Sequence, residues 1–188
     1  GNGIPTWKRL LDVSCVFLAA PVLLPIGFSI ALLIKAVSPG PVLFKQERVG
    51  QRGKKFTFLK FRSMYINCDH NVHKEYVHNF ISGKTGKGTQ GSGAQKKIFK
   101  LTDDCRITPV GKILRKTSLD ELPQFINVLK GDMSLVGPRP PIPYEVEKYD
   151  IWHRRRVMEI KPGITGLWQV RGRSSTSFDE MVRLDIKY

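Results

Sequence analysis

Residues 13–34, VSCVFLAAPVLLPIGFSIALLI, carry no charged side chain. An uncharged apolar run of this length predicts a membrane helix rather than a core element of a soluble domain. A signal peptide fits less well, because no convincing cleavage site is present and basic sequence follows directly. The flanks then constrain how the segment meets the bilayer. Lys8 and Arg9 precede it; Lys35, Lys45, Arg48, Arg52, Lys54 and Lys55 follow. Positive residues favour the cytoplasmic side, so a simple crossing would strand one basic flank on the wrong face. Pro21 and Pro25 each remove a helix hydrogen bond near the middle of the run and favour a kink. A bent helix that enters and leaves through one leaflet satisfies both flanks. A kinked single span is the alternative; the charge rule favours re-entry.

Ser38-Pro39-Gly40-Pro41 marks a turn. VLFKQERV and KFTFLKFR follow, separated by Gly50 and Gly53, and predict a short β-hairpin. Alternation on the second strand puts Phe56, Phe58, Lys60 and Arg62 on one face. These cations form either a solvated basic edge or a phosphate-facing pair near the membrane surface. Residues 67–97 lack periodicity and contain GKTGKGTQGSG, which predicts a flexible loop over a site or a plain insertion. A P-loop is rejected: His78 stands where its first glycine belongs, and no strand leads in. His70, His73 and His78 lack a completing set of zinc ligands.

Most of the chemistry concentrates between Lys112 and Pro140, KILRKTSLDELPQFINVLKGDMSLVGPRP. Asp120 and Glu121 sit there among Lys112, Arg115, Lys116 and the proline-flanked Arg139. Pro123 suits the first turn of a helix. The pattern predicts a helix beginning near Asp120–Pro123, with Leu122, Phe125, Ile126 and Leu129 on a buried stripe and its end at Lys130-Gly131. Ser118 with Glu121 fits a capping box, the bland reading of this cluster. The chemical reading gives the two acids separate tasks: one attacks phosphorus as a carboxylate nucleophile, and the other holds a hard cation such as Mg2+.

Beyond Pro140, EVEKYDIWHRRRVMEI predicts one helix, with Trp152 beside Arg154-Arg155-Arg156, either a solvated face or an interfacial one. ITGLWQVRGRSS is turn-rich and offers Gln169, Arg171 and Arg173; SFDEMVRLDIKY predicts a helix. Lysine and arginine number 31 against 16 acids, a net charge of +15, which points to a polyanionic partner. Cys15, Cys68 and Cys105 form no metal or disulfide framework and suit a reducing compartment. The chain opens on Gly1 rather than methionine, as expected of a fragment. The expected class is α+β: a mostly helical membrane-associated domain with an N-terminal proline-kinked membrane helix (1–37), a short hairpin and interfacial helices within 38–188.

The motifs KRLLD, SPGPVLFKQERVG, FLKFRSM, SLDELPQFINVLKGDMSLVGPRP and KPGITGLWQVRGR follow one another over nearly the whole chain, from Lys8 to Asp185. Together they resemble the bacterial sugar transferase family, the monotopic phosphoglycosyl transferases, most closely its galactose and glucose phosphotransferases. The resemblance implies transfer of a sugar 1-phosphate from a UDP-sugar to polyprenyl (undecaprenyl) phosphate with release of UMP. The setting it implies is the cytoplasmic face of a bacterial inner membrane, at the first step of exopolysaccharide or O-antigen assembly. It makes Asp120 the nucleophile and Glu121 the Mg2+ ligand. Arg139 becomes a nucleotide or phosphate contact, and Lys60, Arg115, Arg173, Gln169 and Asp185 further substrate contacts. The family's membrane segment is a re-entrant helix broken at a proline, here Pro25, although the serine that often precedes it is replaced by Leu24. Family members continue past the position of Tyr188, so a C-terminal piece is expected beyond it.

Expected partners are therefore the UDP-sugar donor, the polyprenyl phosphate acceptor and anionic lipid, with a homo-oligomer left open and no nucleic acid, since no such motif is visible. Two readings from other classes compete. A non-catalytic basic module on a membrane anchor explains the charge but leaves Asp120-Glu121 without a task. A metal-dependent phosphohydrolase would use the same acids with water as acceptor.

Overall fold

A computed structural model describes residues 5–66, 106–171 and 178–187. The loop expected at 67–97, with its three histidines, and Arg173 lie outside these residues. Helix α1 (Thr6–Val37) runs unbroken through Pro21 and Pro25. At 1.5 Å per residue it is about 48 Å long, well beyond the apolar thickness of a bilayer. Its apolar stretch has a mean hydropathy of 2.4 and is only 11% buried. Leu18, Leu24 and Phe28, for example, all point away from the protein.

The buried residues of α1 form two separate patches. Asp12 and Val16 pack near the N-terminal end, and Ile30 and Ile34 near the C-terminal end. Val16 joins Phe58, Val128 and Met133 in one core. Ile30 and Ile34 join Phe61 and Leu114 in another. Both patches therefore rest on the same strand of the body. Pro21 and Pro25 lie in the exposed stretch between them.

The body begins with the antiparallel hairpin β1 (Leu43–Val49) and β2 (Lys55–Phe61), as the alternation predicts. Its register pairs Phe44 with Lys60, Gln46 with Phe58 and Arg48 with Phe56, so these six residues share one face. Arg62 falls just beyond the strand. It is buried rather than solvated, and its guanidinium donates to the carbonyls of Ser38 and Pro39 at 2.6 and 2.8 Å. Arg62 thus ties the SPGP turn to the hairpin instead of facing phosphate.

Helix α2 (Pro109–Thr117) is capped by Thr108, whose hydroxyl accepts from Gly111 N at 2.9 Å, with proline at the first helical position. A Cβ at Gly111 would collide with the Ser63 backbone, so this glycine sets how closely α2 approaches the hairpin. A 3-10 turn (Leu119–Glu121) and helix α3 (Gln124–Lys130) follow, and Gly131 ends α3 at φ +86°. The expected apolar stripe is not the one that forms. Gln124, Asn127 and Val128 are buried, whereas Ile126 and Leu129 are exposed. The reason is Asn127: its Oδ1 accepts from Leu59 N at 3.1 Å, and its Nδ2 donates to Thr57 O at 2.8 Å. A carboxamide thereby completes the hydrogen bonds of β2 on the side away from β1, which rotates α3 off the apolar phase.

Strands β3 (Ser134–Val136) and β4 (Gly163–Thr165) pair in parallel. A Cβ at Gly137 would meet Lys161 O, and one at Gly163 would meet the backbone of Val136 and Gly137. The GPRP and KPG motifs are therefore one close backbone contact. Between them the single helix expected at 145–160 is two, α4 (Pro143–Glu147) and α5 (Ile151–Met158). The break comes at Asp150, whose N–H donates to His153 Nδ1 at 3.2 Å rather than continuing α4. Trp152 is half-buried against the His153 ring, 4.0 Å between centroids. Helices α6 (Leu167–Arg171) and α7 (Phe178–Ile186) complete a core of Tyr149, Val157, Trp168, Phe178 and Val182 that reaches Val49 on β1.

Candidate functional site

Asp120 lies on the 3-10 turn, ahead of helix α3 rather than in it. Its flanking residues Leu119 and Leu122 pack into the core that holds Ile30 and Ile34 of α1. The carboxylate-bearing turn is thus fastened to the long apolar helix α1, and only 5% of Asp120 is exposed. Ser118 ends α2 in the left-handed region at φ +61° and makes no capping hydrogen bond, so the capping-box reading does not hold. Glu121 is half-buried beside Asp120.

The turn packs against β2, whose Lys60 supplies the strongest local signal. Burial pushes the Lys60 ammonium down from 10.5 to about 8. Arg139 is the next largest cause, with Arg48 and Arg115 acting in the same direction and Asp120 opposing them. These charges therefore converge on one place. Lys60 from the hairpin, Arg115 from the last turn of α2, Asp120 from the 3-10 turn and Arg139 from the GPRP turn form the cluster. Lys60 also lies over the Phe44 ring, 5.6 Å from its centroid. Lys112 and Lys116 point to solvent and take no part.

Arg139 is held by its neighbours. Pro138 O accepts from Gly163 N at 2.9 Å, and Pro141 O accepts from Val49 N at 2.9 Å. Pro140 O accepts from Arg48 Nη1 at 2.8 Å. Arg48 is a buried cation that sequence inspection did not single out, although its alternation with Gln46 on β1 places it on the Lys60 face. Burial, and then Arg139, push its guanidinium down to about 10.

Gln169 stands at the edge of this arrangement. Its Oε1 lies near Gly166, where a Cβ would collide with Gly137 O. Asp185 is buried on α7, which packs against α6. The fold thus brings Lys60, Arg115, Asp120 and Arg139 into one neighbourhood, with Gln169 near the Arg139 turn. The Arg139 turn also lines a small cavity with Val49, Gly50, Pro138, Pro141 and Val157. A buried carboxylate near Lys60, in the field of several cations, is an arrangement that can attract an anion. Asp120 and Glu121 supply hard oxygen donors; Mg2+ takes only one or two carboxylates when substrate phosphates complete its shell, so this donor set fits that ion.

The family model for bacterial sugar transferases matches residues 4–188. The chain is 47% identical to the galactosyl transferase CpsE of Streptococcus agalactiae serotype III, over 96% of this chain and 37% of that protein. It is 41% identical to the undecaprenyl-phosphate galactose phosphotransferase of Salmonella typhimurium, over 96% of this chain and 36% of that protein. Against the exopolysaccharide production protein ExoY of Sinorhizobium fredii the identity is 38%, over 96% of this chain and 76% of that protein. The chain therefore spans little more than a third of the first two relatives and about three quarters of the third.

Proposed function

Because this chain belongs to the bacterial sugar transferase family, we propose that it is a phosphoglycosyl transferase that moves a sugar 1-phosphate from a UDP-sugar to polyprenyl phosphate. The observation that carries this reading is the buried Asp120 carboxylate close to Lys60, which in turn feels the charges of Arg139, Arg48 and Arg115. In the first half-reaction an Asp120 oxygen bonds to the phosphorus that carries the sugar. The bond from that phosphorus to the bridging oxygen breaks, and UMP leaves with the electron pair. In the second, a phosphate oxygen of the lipid attacks the same phosphorus and the Asp120 carboxylate leaves. Dividing the transfer lets a water-soluble donor and a lipid acceptor use one site in turn. The cations offset the negative charge that develops on the phosphoryl oxygens. Glu121 would hold Mg2+, which supplies further charge neutralisation at the diphosphate when bound. Arg173, Gln169 and Asp185 remain proposed substrate contacts.

The two patches on α1 support the re-entrant reading of the membrane segment. Asp12 and Ile34 pack on one body, so a full crossing would divide that body between the two sides or sink it into hydrocarbon. A helix bent near Pro25 keeps both contacts on the cytoplasmic face. The excess of positive charge then draws the body to anionic lipid, by roughly 1 kcal/mol for each well-placed Lys or Arg. In this reading Asp120 would meet the acceptor's phosphate at the headgroup level, and the cytoplasmic leaflet of the inner membrane is the proposed setting.

The test is Asp120→Asn. Labelling of the protein from a UDP-sugar radiolabelled in the sugar, and all turnover, should disappear while the variant stays folded and membrane-bound. Labelling that persists moves the nucleophile elsewhere. One equivalent of UMP per chain should appear without polyprenyl phosphate; continued release beyond that equivalent would favour a hydrolase, and no turnover over a panel of UDP-sugars would favour the non-catalytic docking module.

A further inference from the structure

Arg48 is 5% exposed and is gripped on three of its donors. Nε and Nη2 donate to Gln46 Oε1 at 3.1 and 2.7 Å, and Nη1 donates to Pro140 O at 2.8 Å. Its guanidinium lies over Phe58, 5.2 Å from the ring centroid. A buried cation held by neutral oxygens beside a second arginine is costly unless its charge or its reach serves the neighbouring site. Its reach is specific. Pro140 follows Arg139 directly, and the next carbonyl, that of Pro141, is bound by Val49 N from the same strand at 2.9 Å. The end of β1 therefore fixes two consecutive carbonyls on one side of Arg139, while Gly163 fixes the Pro138 carbonyl on the other.

We infer that Arg48 is a positioning residue for Arg139: through its bond to the Pro140 carbonyl it carries the geometry of the hairpin, and with it the position of Lys60, into the turn that presents Arg139 to a bound diphosphate. This rests on the proposed reading of Arg139 as a phosphate contact. Lys60 and Arg48 share a hairpin face, so one rigid element sets the spacing of two phosphate-facing cations. Gln46 completes the device by holding the guanidinium in the plane that Pro140 O requires. A fixed fork serves here better than a flexible ammonium, because an arginine already planar and clamped loses little freedom on each bond it makes.

The test is a double-mutant cycle read as affinity for UDP at fixed Mg2+, with UDP-sugar turnover measured in parallel. Arg48→Met in the otherwise native chain should weaken UDP binding about tenfold, mostly as a rise in KM with a smaller fall in kcat. In an Arg139→Ala background the same change should cost less than about twofold, because the group it positions is gone. Arg48→Lys, which keeps one cationic donor toward Pro140, should recover part of the loss. A general loss of stability would instead lower both backgrounds by the same factor, and additive effects of that kind overturn the inference. If Arg48→Met does not fold, the same cycle on Gln46→Ala decides, since that change only loosens the guanidinium; additivity there overturns the inference equally. Normal wild-type turnover with an additive cycle sinks the role of Arg48 alone. Wild-type chain that neither binds UDP nor turns over a UDP-sugar sinks the functional reading and this inference with it.

Discussion

Asp12 of the long apolar helix α1, only 1% exposed, accepts a hydrogen bond from Ser134 Oγ at 2.8 Å across 122 residues of chain. Its second oxygen accepts from Leu135 N at 3.3 Å. One turn earlier, the Arg9 guanidinium donates to the carbonyls of Val128 and Leu129 at the end of α3. Lys8 Nζ adds a bond to Val136 O at 3.3 Å. The first turns of α1 thus join the backbone of β3 and the C-terminal end of α3, where cations complement exposed carbonyls. A membrane anchor that hung by a linker would need none of this. Here it is a structural member of the domain that carries Asp120.

Asp12→Leu should therefore destabilise the whole body, not merely loosen its anchor. Loss of two hydrogen bonds to a buried carboxylate is worth about 2–4 kcal/mol, and Ser134→Ala should cost less. Denaturant midpoints in detergent measure this, with membrane attachment followed by sedimentation. An unchanged midpoint would mean that the contact is incidental.

Asn127→Leu keeps the branched outline of the side chain and adds apolar area, yet it should lower stability by about 2 kcal/mol. It leaves the Leu59 N–H and the Thr57 carbonyl buried without their partner. Hydrogen exchange at Leu59 should accelerate before that of the β1–β2 ladder. Protection unaltered at Leu59 would contradict the role given to the carboxamide.

Gly163→Ala and Gly27→Ala form a matched pair. A methyl group at 163 strikes the backbone of Val136 and Gly137, so the β3–β4 contact must open; overpacking of this kind costs about 1–3 kcal/mol. Activity should fall further, because the same glycines set the Arg139 turn. At 27 the methyl meets only Phe61 Cζ, at an ordinary 3.8 Å. Midpoints for both variants check the contrast, and equal losses would refute it.

Lys60 predicts two opposite responses to pH. Free Lys60 should lose its charge near pH 8, so kcat/KM should decline above about 8. Lys60→Arg should carry activity to higher pH wherever it remains active. Stability moves the other way. Unfolded Lys60 titrates near 10.5 and folded Lys60 near 8, so between these values the unfolded chain holds more protons and stability rises with pH. Lys60→Met should abolish that rise, raise Tm near pH 7 and weaken UDP binding. A kcat/KM plateau unbroken to pH 10 would remove Lys60 from the substrate contacts.

Topology follows from labelling in sealed vesicles. With Cys15, Cys68 and Cys105 changed to serine, Thr6→Cys and Lys54→Cys should react with an impermeant maleimide from the same side. Reaction from opposite sides would establish a span and dismiss the bend at Pro25.

How the chain divides between the readable and the unreadable has physical causes. The apolar run, the hairpin and the Asp120-Glu121 pair were legible, because hydropathy, period-two alternation and proline placement act over neighbouring residues. The sequence by itself determined that a long uncharged apolar stretch precedes a basic α+β body, and that two carboxylates stand among cations. Tertiary structure alone decided which cations meet them. Lys60, Arg115 and Arg139 converge from three elements, while Lys112 and Lys116, nearer in sequence, face water. It also decided that Asn127 rather than Ile126 turns inward, since the edge of β2 had N–H and C=O groups to satisfy, and unmet buried hydrogen bonds outweigh one exposed apolar side chain. Arg48 stayed hidden for the same reason: its partner is a backbone carbonyl 92 residues away, and such a bond leaves no local pattern to read.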